Sequence, residues 1–401
     1  MVDFANPAYR DHSLAEEALR RYAPVGGRDH PPGSRSVAAV RETKRILELI
    51  ALLGGQWPHS SFMVPGGVVF GPEPGALQQG RHLAAGLRRW YQEQVLGCSL
   101  ERWAAVTSLA ELEAWLQESE THRESDVGFL LRFGREAGLD RLGVGPGRFL
   151  SYGSLELPAE TGVHGTEGRL VPAGLAEGLQ RRPLELERIA EHTAYSWYED
   201  DPGGRHPAEG RTDPLATGEE GDRYTWAKAP RYAGDPAETG PLAEAVLAGD
   251  PLITDWIDRE GPSVLVRQLA RLVRPASLFG ALDTWLAETL TNSEDPFYTP
   301  VSDPVNGEGA GLLQAARGAL GHWVRIEDGR IAHYQIVTPT AWNGSPRDDG
   351  GLPGPWEQAL VGTPVADPEN PVEMGHVVRS FDPCLVCTVH QVGGPRVRLG
   401  A

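Results

Sequence analysis

The chemistry of this chain gathers in one stretch near its end, Phe381-Asp382-Pro383-Cys384-Leu385-Val386-Cys387-Thr388-Val389-His390. Two of its 3 cysteines stand here as Cys-x-x-Cys, and a histidine follows three positions on. That spacing brings two soft thiolates and an imidazole within reach of one metal. A bare Cys-x-x-Cys also marks half a zinc site or a redox pair, and it arises by chance. A structural zinc site takes four ligands, and only the distant Cys98 remains to be added. A redox pair ordinarily opens a helix after a strand. This pair follows Phe-Asp-Pro at the end of the sequence, so both of those readings fit poorly.

Composition narrows the rest. The 401 residues are 40% hydrophobic and 23% charged, ordinary for a folded chain and ample for a large core. The formal charge of −18 argues against general nucleic-acid binding. Three cysteines do not make a disulfide framework. No apolar run reaches the length of a membrane span, and the start, Met1 to Pro7, lacks the basic and apolar pattern of an export signal. The expectation is a cytoplasmic chain, or one carried to a membrane or the periplasm only by a partner. The 49 glycines and 33 prolines predict many turns and long ordered loops.

Periodicity predicts mainly helices. A short helix is expected at 14–23 behind Ser13, and a long amphipathic one at 35–54, where Val40, Ile46, Ile50 and Leu53 share a face and Gly54-Gly55 stops it. Two more are expected at 75–96 and 100–118, with Cys98 between them as a structural thiol. Residues 127–170, rich in glycine and apolar side chains, predict short strands around Phe149–Tyr152 and Arg169–Val171. Residues 205–222 read as an exposed loop. The longest helical pattern, 262–292, is divided or kinked by Pro275. Val324–Ile331 reads as a hairpin turning at Asp328-Gly329. The fold class expected is α+β, mainly helical: a helical bundle with small β-sheets and long loops.

Several blocks in order resemble the large subunit of nickel-iron hydrogenases. They are Asn6-Pro7-x-Tyr9-x-Asp11-His12; Pro58-His59-Ser60 with Val64-Pro65-Gly66-Gly67-Val68; Lys228-Ala229-Pro230-Arg231-Tyr232; Gly240-Pro241-Leu242-Ala243; Arg317-Gly318-x-x-Gly321-His322; Val337-x-Pro339-x-x-Trp342-Asn343; and Asp382-Pro383-Cys384-x-x-Cys387-x-x-His390. The resemblance implies a nickel-iron centre whose iron carries diatomic ligands. Cys384 would be a terminal nickel ligand, Cys387 a nickel–iron bridge, and His390 a ligand of a nearby Mg2+. Arg317 would overhang the open face of the centre, with Asp382 beside it. An arginine is a poor base unless strongly perturbed, so electrostatic positioning is its expected role. Thr340 would hydrogen-bond a cyanide on the iron. Ala316 stands where the family has a proline lining that pocket. His59 would lie near the subunit interface and a partner's iron–sulfur cluster. Arg231 and Lys228 are expected to be solvated or ion-paired structural residues.

The implied reaction is reversible heterolytic cleavage of H2, with an iron–sulfur small subunit taking the electrons. The family draws two further cysteines and a proton-relaying glutamate from an N-terminal segment that these 401 residues do not contain. A split or truncated large subunit is therefore expected, with a separate N-terminal polypeptide bearing the other Cys-x-x-Cys. Residues 1–390 would form one large-subunit-like domain. Residues 391–401 would be an extension removed by a maturation endopeptidase. The alternative is a non-catalytic maturation scaffold holding an iron fragment.

Overall fold

The computed structural model describes residues 3–27, 30–157, 168–199, 203–217, 221–292, 294–302 and 305–384. The first third is helical. It comprises α1 (Ala15–Tyr22), α2 (Ser34–Gly54), a small hairpin of β1 (Met63–Val64) and β2 (Gly67–Val68), α3 (Pro74–Trp90), α4 (Leu100–Ala104), α5 (Leu109–Glu118), α6 (Glu120–Glu124) and α7 (Asp126–Glu136). A short π-helical turn, Tyr91–Leu96, prolongs α3. An antiparallel sheet follows, ordered β3 (Arg148–Glu156), β4 (Arg169–Glu177), β5 (Gln180–Arg182). Strand β6 (Ile189–His192) then pairs antiparallel with β7 (Ala229–Tyr232). Four helices come next: α8 (Pro241–Ala248), α9 (Pro251–Glu260), α10 (Val264–Val273) and α11 (Pro275–Thr291). The chain closes with β8 (Gly307–Ala315), β9 (Gly318–Glu327) and β10 (Arg330–Val337) in one antiparallel sheet with β9 central, then α12 (Pro339–Asn343), α13 (Pro355–Leu360) and α14 (Val372–Ser380).

Local chemistry explains where these elements begin and end. Serines 99, 108, 119, 125 and 263 each precede a helix, and each hydroxyl accepts a backbone N–H of the first turn. The helix expected over 100–118 is therefore two helices. Ser108 caps α5 by accepting from Glu111 N, while the Glu111 carboxylate accepts from Thr107 N at 2.7 Å. The strands expected around Phe149–Tyr152 and Arg169–Val171 form as β3 and β4, while the 127–170 segment that holds them opens with α7, because Ser125 caps a run whose Val127, Phe129, Leu130, Leu131 and Phe133 are all buried. Pro275 stands at the first turn of α11 and separates it from α10, where a missing N–H costs nothing. The β9–β10 turn sits at Asp328-Gly329 with both residues at positive φ, as a tight hairpin requires.

The main core joins α5, α7, α8, α9 and α10, with Trp115, Phe129, Phe133, Trp256 and Leu265 fully buried in it. A second cluster lies under the sheets and holds Leu150, Tyr152, Trp323, Val337 and Trp342. Helix α2 forms where expected, but its apolar stripe does not face inward: Val40, Ile46 and Ile50 are 59%, 43% and 38% exposed. Leu49 is buried instead, as is Glu42, whose carboxylate accepts from Arg45 at 3.0 Å. The reason is geometric. Helix α3 packs on the α2 face carrying Leu49, and α1 also touches α2, but Val40, Ile46 and Ile50 stay largely exposed.

Arg231 fastens the sheets to the end of the chain. Fully buried on β7, it pairs with Asp348 at 2.8 Å and donates to Ser345 Oγ and to the carbonyls of Pro230, Pro346 and Leu352. Burial pulls its pKa down and the Asp348 carboxylate opposes that. Lys228 is buried as well, donating to the Arg211 carbonyl and Thr212 Oγ1. Arg231 is thus ion-paired, as expected, whereas Lys228 is buried and hydrogen-bonded rather than solvated.

Candidate metal centre

The sequence motif is delivered by the end of α14. Phe381 N and Asp382 N still donate to Val378 O and Arg379 O. Asp382 then takes a left-handed conformation, φ +54°, and turns the chain into Pro383-Cys384. A short polar side chain tolerates this conformation better than most.

Three other segments meet it there. The first is α12, started by Pro339 and capped by Thr338, whose hydroxyl accepts from Ala341 N. This short helix buries Thr340, and Thr340 Oγ1 accepts from the Cys384 backbone N–H at 3.1 Å. The second is the two-residue turn between β8 and β9, Ala316-Arg317. Arg317 reaches Asp382, with Nε 3.5 Å from Oδ2. The third is α10, where Arg271 Nε lies 3.6 Å from the same Oδ2.

A fourth strut, Glu238-Thr239-Gly240, sets the height of the Arg317 turn. Thr239 Oγ1 accepts from Ala319 N at 2.8 Å and from Gln314 Nε2 at 3.2 Å. The Thr239 amide and carbonyl pair with the Asn343 side chain, both at 2.9 Å. Contact is so close that a Cβ on Gly318 would stand 2.5 Å from Thr239 Oγ1 and 2.7 Å from Gly240 N. With φ at +128°, Gly318 also has a backbone that only glycine adopts readily. Glu238 is itself held by Arg267 in a two-pronged pair at 2.7 and 2.8 Å, both side chains buried. The Arg267 guanidinium lies 4.1 Å from the Phe381 ring centre.

Of the residues singled out from sequence, Arg317, Thr340, Asp382 and Cys384 therefore converge, although Thr340 and Cys384 are 44 positions apart. His59 does not join them among the described contacts. It lies in an exposed loop at φ +59°, its carbonyl accepting from Gln56. Cys387, His390 and the 391–401 extension lie outside the described residues. Cys98 is half-buried between α3 and α4, with burial pushing its thiol up. Among the described residues no cluster of three His, Cys, Asp or Glu elsewhere could hold a metal.

Sequence reasoning missed Arg267, Arg271, Glu238 and Thr239. The signal for the first two was present: arginines four apart in Val264-Leu265-Val266-Arg267-Gln268-Leu269-Ala270-Arg271 interrupt an otherwise buried helix. Charges there need partners. Chemically, the described part of the site joins the Cys384 backbone to the Thr340 hydroxyl and the Arg317 guanidinium to the Asp382 carboxylate; Cys384 is disulfide-bonded in this structure, and on reduction it would offer one soft sulfur donor. That donor suits a thiophilic transition metal such as nickel.

Comparison with known proteins agrees. The family described as nickel-dependent hydrogenase matches residues 35–390. The chain is 34% identical to the Hydrogenase-1 large chain of Escherichia coli (strain K12) over 274 residues, covering 60% of this chain and 45% of that one. It is 30% identical to the uptake hydrogenase large subunit of Afipia carboxidovorans, over 96% of this chain and 66% of that one. Among solved structures, a [NiFeSe] hydrogenase variant from Desulfovibrio vulgaris Hildenborough superposes with a TM-score of 0.72 at 26% identity, covering 89% of this chain and 70% of that one. The reduced Ni-Fe-Se hydrogenase of Desulfomicrobium baculatum gives a TM-score of 0.71 at 27% identity, covering 89% and 69%. The chain thus spans about half to two thirds of the length of the large subunits it matches. Its fold is that of hydrogenase large subunits, and with the match running through the Cys384 segment, the chain belongs to the nickel-dependent hydrogenase family.

Proposed function

We propose that this chain is the metal-binding, catalytic part of a hydrogenase large subunit and takes part in the reversible heterolytic cleavage of H2 to protons and electrons. The observation that carries the reading is the meeting of Cys384, Thr340, Asp382 and Arg317 at one point, in a chain of this family. Cys384 and Cys387 supply sulfur to a nickel-iron centre bearing diatomic ligands on iron, and His390 binds Mg2+. When bound, such a centre polarises H2 and accepts its electrons. The protein's part is positional. Arg317 sets its guanidinium over the site, where it orients substrate electrostatically. Asp382 neutralises and aims it. Thr340 holds the Cys384 backbone and offers its hydroxyl to the iron's ligands. His59 faces a partner near its cluster.

The electrons require an iron–sulfur small subunit, because the three cysteines here leave none for a cluster chain. The remaining two sulfur ligands come from an N-terminal large-subunit polypeptide bearing Cys-x-x-Cys. Residues 1–390 act as one large-subunit-like domain. Residues 391–401 are an extension that a maturation endopeptidase removes after His390. Among the described residues no helix is long and apolar enough to cross a membrane. We place the chain in the cytoplasm, or at a membrane or in the periplasm only through a partner.

The test is native purification with all co-purifying chains, followed by nickel and iron analysis, peptide mass mapping and H2-dependent dye reduction. Nickel and iron together, a C-terminus at His390, dye reduction in the native complex and loss of nickel in Cys384→Ser are expected. Iron without nickel, an intact Ala401 terminus and no dye reduction would overturn the proposal in favour of a maturation scaffold.

A further inference from the structure

The Arg317 side chain is about half exposed, and its one ion-pair partner among the described residues is Asp382. Asp382 in turn is a third exposed, stands just past a helix end and has a left-handed backbone. Neither residue is rigid by itself. Helix α10 is, because Val264, Leu265, Val266, Leu269 and Ala270 are all buried. From it, Arg271 reaches out to the site and Nη1 donates to the Ser380 carbonyl at 2.9 Å. Its Nε, buried and without a hydrogen-bond partner, points at Asp382 Oδ2 from 3.6 Å. One turn earlier, Gln268 Nε2 donates to Arg379 O at 3.3 Å. One carboxylate oxygen thus lies between two guanidiniums, one rooted in the core and one over the site.

We propose that Arg271 is a positioning residue: it holds Asp382 where Arg317 is aimed over the metal centre, and it ties down the end of α14 that leads into Cys384. The inference rests on the role given above to Arg317 and Asp382. The geometry needs a planar fork, because one side chain must serve the Ser380 carbonyl and the Asp382 carboxylate together. A lysine ammonium keeps the charge but has no such fork. Loss of the fork leaves Asp382 and Arg317 as a half-exposed pair free to drift, and a misplacement on the order of 1 Å at a reacting centre costs up to about a hundredfold in rate.

The experiment compares Arg271→Met, Arg271→Lys, Asp382→Asn and both Arg271 changes combined with Asp382→Asn, in the natively purified complex. Three quantities are read: H2-dependent dye reduction, nickel and iron content, and deuterium uptake of the peptide ending at Cys384. R271M is expected to lower turnover about tenfold or more with nickel retained, and to raise uptake of the peptide, with R271K between R271M and the native protein. Because Arg271 acts on Arg317 through Asp382, neither Arg271 change should alter turnover more than about twofold in the D382N background, whereas R271M should still raise uptake there by losing the Ser380 contact. Turnover effects that multiply across the two sites would overturn the inference and leave Arg271 a merely structural residue, as would native turnover and uptake in R271M. If R271M does not fold, the same comparison is made with R271K in both backgrounds. D382N with undiminished turnover would remove the role of Asp382 itself and the inference with it, whereas an impaired D382N beside a normal R271M removes the inference alone.

Discussion

The backbone N–H of Cys384 donates to Thr340 Oγ1 across 3.1 Å, so a hydroxyl on α12 registers the position of the first cysteine of the motif. Thr340→Val keeps the shape and removes the acceptor. The loss should cost about 1–2 kcal/mol at this end of the chain, read as faster hydrogen exchange at the Cys384 amide and quicker nickel loss on dialysis. Thr340→Ser should behave as the native protein. Equal exchange in all three would show that the contact does not hold the motif.

Arg231 and Asp348 form a buried pair, and the guanidinium has no water to fall back on. Arg231→Met leaves the Asp348 carboxylate unpaired in the interior. The cost should be about 3–5 kcal/mol, measured as a drop in the urea midpoint. The backbone carbonyls of Pro346 and Leu352 lose their donor as well. An unchanged midpoint would mean that the pair does not fasten the sheets.

Gly318 is pressed against Thr239 and Gly240 at a positive φ. Gly318→Ala must strain the backbone or push the strut away, at a cost of about 1–3 kcal/mol. Because Arg317 is the preceding residue, turnover should fall more steeply than stability. A variant with native stability and native turnover would show that the turn yields without consequence.

His376 is fully buried on α14, stacked 5.7 Å from Tyr9, and neither ring nitrogen has a hydrogen-bond partner. Burial, seconded by Arg379 and opposed by Asp3, lowers its pKa from 6.5 to about 4. The imidazole stays neutral in the fold while the unfolded chain takes up a proton below 6.5. Stability therefore falls as pH drops from about 6.5 to about 4, by up to about 3 kcal/mol from this group. His376→Phe should flatten that part of the melting-temperature profile while leaving pH 8 little changed. An identical slope in the variant would assign acid sensitivity to other groups.

Glu191 titrates with the opposite sign. Buried, and accepting from Gln335 Nε2 at 2.7 Å, its carboxyl is pushed by burial from 4.5 to about 7, against the pull of Lys228. A raised carboxyl stabilises the fold fully below about 4.5, and that contribution is lost as pH rises through about 7. Glu191→Gln should thus make thermal stability less sensitive to pH between 5 and 8. A steeper decline in the variant would contradict this.

Local chemistry made much of this protein legible in its sequence. The Asp328-Gly329 turn and the break at Pro275 follow from what two or three adjacent residues can adopt, and helix 34–54 follows from spacing. The serine caps that split 100–118 and start α7 were equally local, yet periodicity alone overran them. The Cys384 motif and the Arg317 and Val337–Asn343 blocks identified the chemistry through residue type and order.

Tertiary structure decided which of those residues meet. Thr340 and Cys384 are joined by one hydrogen bond across 44 positions, and no periodicity encodes that. Arg271 looked like any helix arginine until α10 packed against the end of α14 and brought Asp382 to it. The apolar stripe of α2 was readable, but the face that is covered depends on which neighbours arrive, and α3 arrived on the side of Leu49. Backbone preference acts over a few residues and is written locally. The pairing of charges and the covering of faces are properties of the whole packed chain, so they emerge only when distant segments are brought together.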